Sequence, residues 1–269
     1  MLSDKKKDGV TLWVDSKGHN MKRNNSRRQF IKAVGTLGVG AGMLSPLSAI
    51  AGDNSEHESK SETSSGQDDS TTVISILQTT DVHCQIHPHD ELFWENDQAV
   101  FRRTGGYAQL AQFLFNLKKE NPDTFIVDTG DMFQGSALSV KTTGKAMVPV
   151  LNAMNYDLYL PGNWEVIYGK KNMQTLMGAL SAPKICANMY HDLGDGKRGE
   201  LIFQPYHTWV VAGIKIGFLG YTDPLVPIRQ SPNYSKGILY TKPEENLAYY
   251  IDVLKNQEQC GFIVMLAHL

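Results

Sequence analysis

From Val73 onward, short β-branched runs alternate with stretches whose apolar residues recur at helical spacing. Few folds accommodate such an alternation. Val73-Ile74-Ser75-Ile76-Leu77 reads as a buried strand. Apolar Leu110, Ala111, Leu114 and Leu117 predict a helix over Tyr107 to Lys119, stopped before Asn121-Pro122. Further strands are predicted at Thr124–Val127, Leu158–Leu160, near Lys184–Ala187 and at Phe262–Leu266. A hairpin over Thr208–Val211 and Lys215–Leu219 turns at Ala212-Gly213. Helices are predicted at Ala146–Met154, Met173–Leu180 and Glu244–Gln257. With 269 residues, 41% of them hydrophobic, the chain has material for one large domain or two small ones. The pattern predicts an α/β layered domain, in which chemistry collects at strand ends.

Polar clusters stand at four such ends. Asp81-Val82-His83 follows the first strand, Gly130-Asp131 the second and Gly162-Asn163 the third, while His268 follows the last. Carboxylate, imidazole and amide oxygen make a hard-to-borderline donor set for divalent metals such as Zn or Mn. In an extended segment, residues two apart point to the same side, so Asp81 and His83 are expected to grip one ion. Gly130 and Gly162 are expected to let the chain turn tightly as it leaves each strand. Any one of these pieces is a common surface feature; four in order carry the reading.

The segments Leu77-Gln78-Thr79-Thr80-Asp81-Val82-His83, Val127-Asp128-Thr129-Gly130-Asp131-Met132-Phe133-Gln134-Gly135-Ser136, Gly162-Asn163-Trp164-Glu165 and Leu266-Ala267-His268 resemble the calcineurin-like metallophosphoesterases, and within them the secreted 5′-nucleotidase branch. The resemblance runs from about Val73 to the end of the chain. It implies a four-layer fold of two packed β-sheets flanked by helices, with two divalent ions at the strand ends. By resemblance, Asp81 and His83 hold the first ion, Asp131 bridges both, and Asn163 and His268 hold the second. A bridging carboxylate keeps two ions about 3.5–4 Å apart, where they clamp a phosphate and acidify a bound water. The implied substrate is a small phosphorylated molecule, nucleotide in type.

Two departures from that pattern stand out. Family nucleotidases follow Gly-Asn with His and, three residues on, Asp, a dyad near the leaving group; Trp164 and Ile167 stand there instead, so no catalytic acid is assigned. Trp164 followed by Glu165 and Tyr168-Gly169 resembles the thiosulfohydrolase relatives, as do Phe203-Gln204-Pro205-Tyr206 and Gly217–Pro232. A sulfur-bound substrate is therefore the alternative reading. The family also carries a later Gly-His-x-His motif and a C-terminal substrate-binding domain. Their absence before Leu269 reads as a domain incomplete at its C-terminus, leaving an inactive fragment as a third reading.

Asp128 either orients a ligand from behind or satisfies loop amides, and Glu165 is a weaker candidate for a supporting role. Cys84 adjoins a ligand, but its thiol is expected to point away. His87-Pro88-His89 is expected on a surface loop, and Arg102-Arg103-Thr104 is expected to be solvated.

The first 51 residues are of a different kind. Ser26-Arg27-Arg28-Gln29-Phe30-Ile31-Lys32 precedes a weakly apolar, glycine-studded run ending in Ala49-Ile50-Ala51, which resembles a twin-arginine export signal, with residues 1–20 as an upstream extension. Five helix-weakening glycines and prolines in that run, at 35, 38, 40, 42 and 46, argue against a stable membrane anchor. Residues 52–72 hold too few apolar side chains to offset ordering and read as a linker, leaving 73–269 as the folded domain. The implied partner is the export machinery, and the implied destination the periplasm or the medium. Of 26 basic and 28 acidic residues, the first 51 hold nine and three; the rest carries 17 against 25, a net of −8. That balance excludes a nucleic-acid polymer as a partner, because phosphate backbones are held by Lys and Arg. Three scattered cysteines make no disulfide framework.

Overall fold

A computed structural model describes residues 72–269. The export signal predicted over 1–51, and all but the last residue of the linker predicted over 52–72, lie outside the described residues. In chain order come β1 (Ser75–Thr79), β2 (His89–Glu95), β3 (Gln98–Thr104), α1 (Tyr107–Glu120) and β4 (Thr124–Asp128). Then follow α2 (Ala137–Thr142), α3 (Met147–Ala153), β5 (Leu158–Tyr159) and α4 (Lys170–Gly178). β6 (Met189–Asp192), β7 (Arg198–Leu201), β8 (Tyr206–Val211) and β9 (Ile214–Thr222) lead to α5 (Val226–Arg229) and β10 (Ile238–Tyr240). Last are α6 (Leu247–Asp252) and β11 (Phe262–His268).

β1, β4 and β5 form one parallel sheet in that order, with β4 buried along its whole length, as a central parallel strand covered on both faces must be. A second sheet, ordered β11-β9-β8, packs against it, with β11 parallel and β8 antiparallel to β9. Phe125 of β4 joins them: its ring centroid lies 5.3 Å from Trp209 of β8 and 5.1 Å from Phe218 of β9. Burial of such rings supplies much of the core's hydrophobic stabilisation. The layered α/β architecture is as expected. No described helix is long and apolar enough to cross a membrane.

The differences from expectation are local. No strand forms at 184–187. Instead its amides reach three separate neighbours in turn, Ile185 to Tyr159 O, Cys186 to Gln204 O and Ala187 to Gly220 O, so the segment crosses between the sheets. The helix predicted over 244–257 is interrupted at Asn246, which has φ −140°. There the amide nitrogen donates to Ala187 O (2.7 Å) and the Tyr190 hydroxyl (2.9 Å), and its oxygen accepts from Tyr221 (2.7 Å). Three tertiary hydrogen bonds outweigh one residue's helical preference. His89, expected in a loop, opens β2, and β2 pairs with β3 across an Asn96-Asp97 turn with φ of 50° and 61°. Two successive left-handed residues twist a two-residue hairpin correctly. β11 extends to His268, two residues past the predicted strand end.

Candidate metal centre

The C-terminal ends of β1, β4, β5 and β11 meet at one edge of the paired sheets, and loop backbone determines how. Asp81 and His83 were expected on an extended segment; both are left-handed instead, with φ of 55° and 48°. The reason is stitching: Asp81 N–H donates to Gly130 O (3.0 Å) and His83 N–H to Asp131 O (3.1 Å), which curls the loop after β1 around the loop after β4. Asp131 is itself left-handed, φ 64°. Such conformations cost energy that surrounding contacts must offset, and they gather at functional sites.

The two glycines serve different ends. Gly130, with φ 110°, makes the expected turn. Gly162 is required by proximity: a Cβ there would lie 2.4 Å from Asp131 Oδ1 and 2.8 Å from His268 Cε1. No larger residue leaves room for the carboxylate and the imidazole together.

Hydrogen bonds from behind set the tautomers of both histidines. His83 Nδ1 lies 3.0 Å from Gln134 O, and His268 Nδ1 lies 2.8 Å from Thr129 O. A carbonyl only accepts, so each Nδ1 carries the proton and each Nε2 turns a lone pair inward. His83 Nε2 stands 3.4 Å from Asp131 Oδ2 and 3.9 Å from Asp81 Oδ1. His268 Nε2 stands 3.5 Å from the same Asp131 Oδ2 and 2.8 Å from the Asn163 amide. Ligand atoms of Asp81, Asp131 and His268 all fall within 4.8 Å of one another. Asp131 is thus the hub, buried between the two imidazoles, while Asp81 is half-exposed at the rim.

Burial, and then the neighbouring Glu165 charge, push the Asp131 carboxyl well above the usual carboxylate range. Among the described residues the groups nearest it are the imidazoles of His83 and His268, and no Lys or Arg pairs with it. A buried carboxylate without a fixed cation is costly, so the donor set fits divalent cations in charge as well as in type.

Glu165 and Asp128 stand behind this hub. The fully buried Glu165 carboxylate accepts from Asp131 N (3.0 Å), Met132 N (2.6 Å) and Gly162 N, fastening the loop after β4 to the loop after β5. Asp128 accepts from Gly130 N (2.9 Å) and the Thr79 hydroxyl (2.6 Å), and burial lifts its carboxyl to about 7. Trp164 reaches the centre through its backbone, whose N–H donates to Asp131 Oδ1 (2.9 Å); its indole and Ile167 are half-buried. Cys84 turns into the core, where its thiol donates to Met132 O (3.1 Å) and burial raises its pKa. His89 pairs with exposed Glu91 (3.1 Å) on the hairpin.

Three contributors escaped sequence reasoning. The carbonyls of Thr129 and Gln134 act through backbone atoms common to every residue. Gln230, just past α5, lies 2.9 Å from the Asn163 amide; it falls within Gly217–Pro232, where the resemblance singles out no residue.

Residues 74–258 match the family model described as Calcineurin-like phosphoesterase. The matched span contains Asp81, His83, Asp131 and Asn163; His268 lies beyond it. The chain is similar to the 5′-nucleotidase of Vibrio cholerae, 25% identical over 207 residues, which is 75% of this chain and 34% of that one. Among solved structures, the NAD nucleotidase NadN of Haemophilus influenzae superposes with a TM-score of 0.63 at 25% identity, covering 72% of this chain and 34% of that one. The sulfate thiohydrolase SoxB of Thermus thermophilus gives a TM-score of 0.61 at 18% identity, over 72% of this chain and 43% of that one, a likeness of fold. The chain spans between 14% and 34% of the length of the curated relatives it matches.

Proposed function

Because the chain belongs to the calcineurin-like phosphoesterase family, we propose that it hydrolyses phosphate esters of the 5′-nucleotide kind with the help of two divalent cations, Zn or Mn. Asp81 and His83 would hold one ion, Asn163 and His268 the other, with Asp131 shared. The observation that carries this reading is the buried, uncompensated Asp131 carboxylate flanked by two Nε2 lone pairs. When bound, the pair would supply positive charge for the phosphoryl oxygens and a more acidic water as nucleophile. The residues present do the positioning. Thr129 O and Gln134 O keep both imidazoles in the tautomer that offers Nε2. The Trp164 amide and Glu165 hold Asp131 in place from two sides. Water attacks phosphorus opposite the ester oxygen. Neither Trp164 nor Ile167 can hand that oxygen a proton, so the proton comes from solvent.

Trp164 favours a second reading, in which the same centre cleaves a sulfur-bound substrate. Both are tested on the chelated chain reloaded with Mn²⁺. Two equivalents of bound metal and phosphate release from AMP are expected. Turnover of a thiosulfonate conjugate with none of AMP would establish the sulfur reading instead. A chain that takes up no cation would be a folded remnant without this chemistry.

Export through the twin-arginine route completes the proposal and rests on Arg27-Arg28 and the small-residue run ending at Ala51. Arg27→Lys with Arg28→Lys is expected to leave the protein in the cytoplasm of the producing cell. Fractionation that finds the double variant in the periplasm at the wild-type level would refute the route.

A further inference from the structure

The two ends of the Asn163 side-chain amide face opposite demands. The inner end lies 2.8 Å from His268 Nε2 and 3.1–3.2 Å from both Asp131 oxygens, all of them acceptors. The outer end lies 2.9 Å from Gln230 Nε2, a donor. Hydrogen bonding alone is satisfied with nitrogen inward and oxygen outward. That orientation is useless for a cation, because an amide NH₂ has no lone pair to give. Turning Asn163 alone puts its oxygen inward but sets its NH₂ against the Gln230 NH₂. The conflict disappears only if Gln230 turns as well and offers its Oε1. That oxygen is buried and has no hydrogen-bond partner among the described residues. A buried, unpaired amide oxygen beside a reversible amide is a ready acceptor for the second orientation.

We infer that Gln230 is a positioning residue for the second cation: it determines which end of the Asn163 amide faces Asp131 and His268, and the two amides turn together when an ion binds. The inference rests on the proposed role of Asn163 as a ligand. It adds a residue from a separate element, just beyond α5, to the determinants of cation affinity. With nitrogen inward, the Asn163 Nδ2–H groups partly neutralise the Asp131 oxygens and His268 Nε2. Cation binding therefore competes with a formed set of hydrogen bonds, and Gln230 shifts that competition.

The test is calorimetric titration of the chelated chain with Mn²⁺, comparing Gln230→Glu and Gln230→Met in the wild-type and Asn163→Ala backgrounds. A carboxylate at 230 only accepts, so it holds the Asn163 oxygen inward. It is expected to tighten, about tenfold, the Mn²⁺ site that Asn163→Ala weakens. The thioether does neither job and is expected to weaken that site about fivefold. In the Asn163→Ala background, Gln230→Glu should retain only the effect of its charge, about twofold, and Gln230→Met should have none. Equal factors in both backgrounds would overturn the inference, since they would show that position 230 acts by charge or packing alone. Thermal unfolding of the metal-free variants verifies that all are folded. Failure of the wild type to take up Mn²⁺ overturns the proposed function and this inference together. Two bound cations with affinities indifferent to position 230 overturn only the inference.

Discussion

Replacing Asp131 with Asn is expected to abolish uptake of both cations and to lower phosphate-ester turnover by about 10³-fold or more, the scale on which a charge shared by two metals acts. The substitution is conservative in every other respect. Asn accepts the left-handed φ of 64° as readily as Asp, and its Oδ1 still receives the Trp164 N–H. What it lacks is the negative charge between His83 and His268. Because burial raises the Asp131 carboxyl's pKa, removing the charge relieves a desolvation penalty, so the metal-free variant should melt no lower than the metal-free wild type. The stabilisation that added Mn²⁺ gives the wild type should vanish. Calorimetric stoichiometry and melting with and without Mn²⁺ measure both halves. Wild-type stoichiometry and turnover in Asp131→Asn would remove the basis of the proposed function.

The second large effect is structural. Glu165→Gln is expected to lower the melting temperature of the metal-free protein by about 10 °C, corresponding to about 3–5 kcal/mol for a domain of this size. Three backbone N–H groups, from Asp131, Met132 and Gly162, converge on the two oxygens of this fully buried carboxylate. A glutamine offers one oxygen and turns an NH₂ toward donors, leaving at least one buried amide unpaired. The loops after β4 and β5 would separate, and with them Asp131 and Asn163. Cation affinity should fall along with stability. A melting point within about 2 °C of wild type would show that Glu165 does not fasten these loops.

How far the chain could be read in advance depended on the range of the forces involved. β4 and α1 are legible because Thr124–Asp128 is apolar enough to be a covered strand and Leu110, Leu114 and Leu117 fall on one helical face. The β2–β3 hairpin carries a turn signal in Asn96-Asp97, but its charged residues, Arg102 and Arg103 among them, read as solvated surface and not as strand. The helix expected through Asn246 breaks because its amide is claimed by Ala187, Tyr190 and Tyr221, between 25 and 59 residues away. No window of local sequence contains those partners.

The centre divides in the same way. The sequence by itself determined which donor atoms are available and in what order they follow the strands: Asp81 and His83, Asp131, Asn163, His268. Those are covalent facts, and the residue types suit divalent cations. Only the tertiary structure decided where the lone pairs point. The left-handed turns at Asp81 and His83 come from hydrogen bonds to Gly130 and Asp131, the imidazole tautomers from carbonyls of other loops, and the amide orientation at Asn163 from Gln230. A lone pair's direction is set by whatever holds the other side of its group, and at His83, His268 and Asn163 that partner comes from a distant stretch of chain.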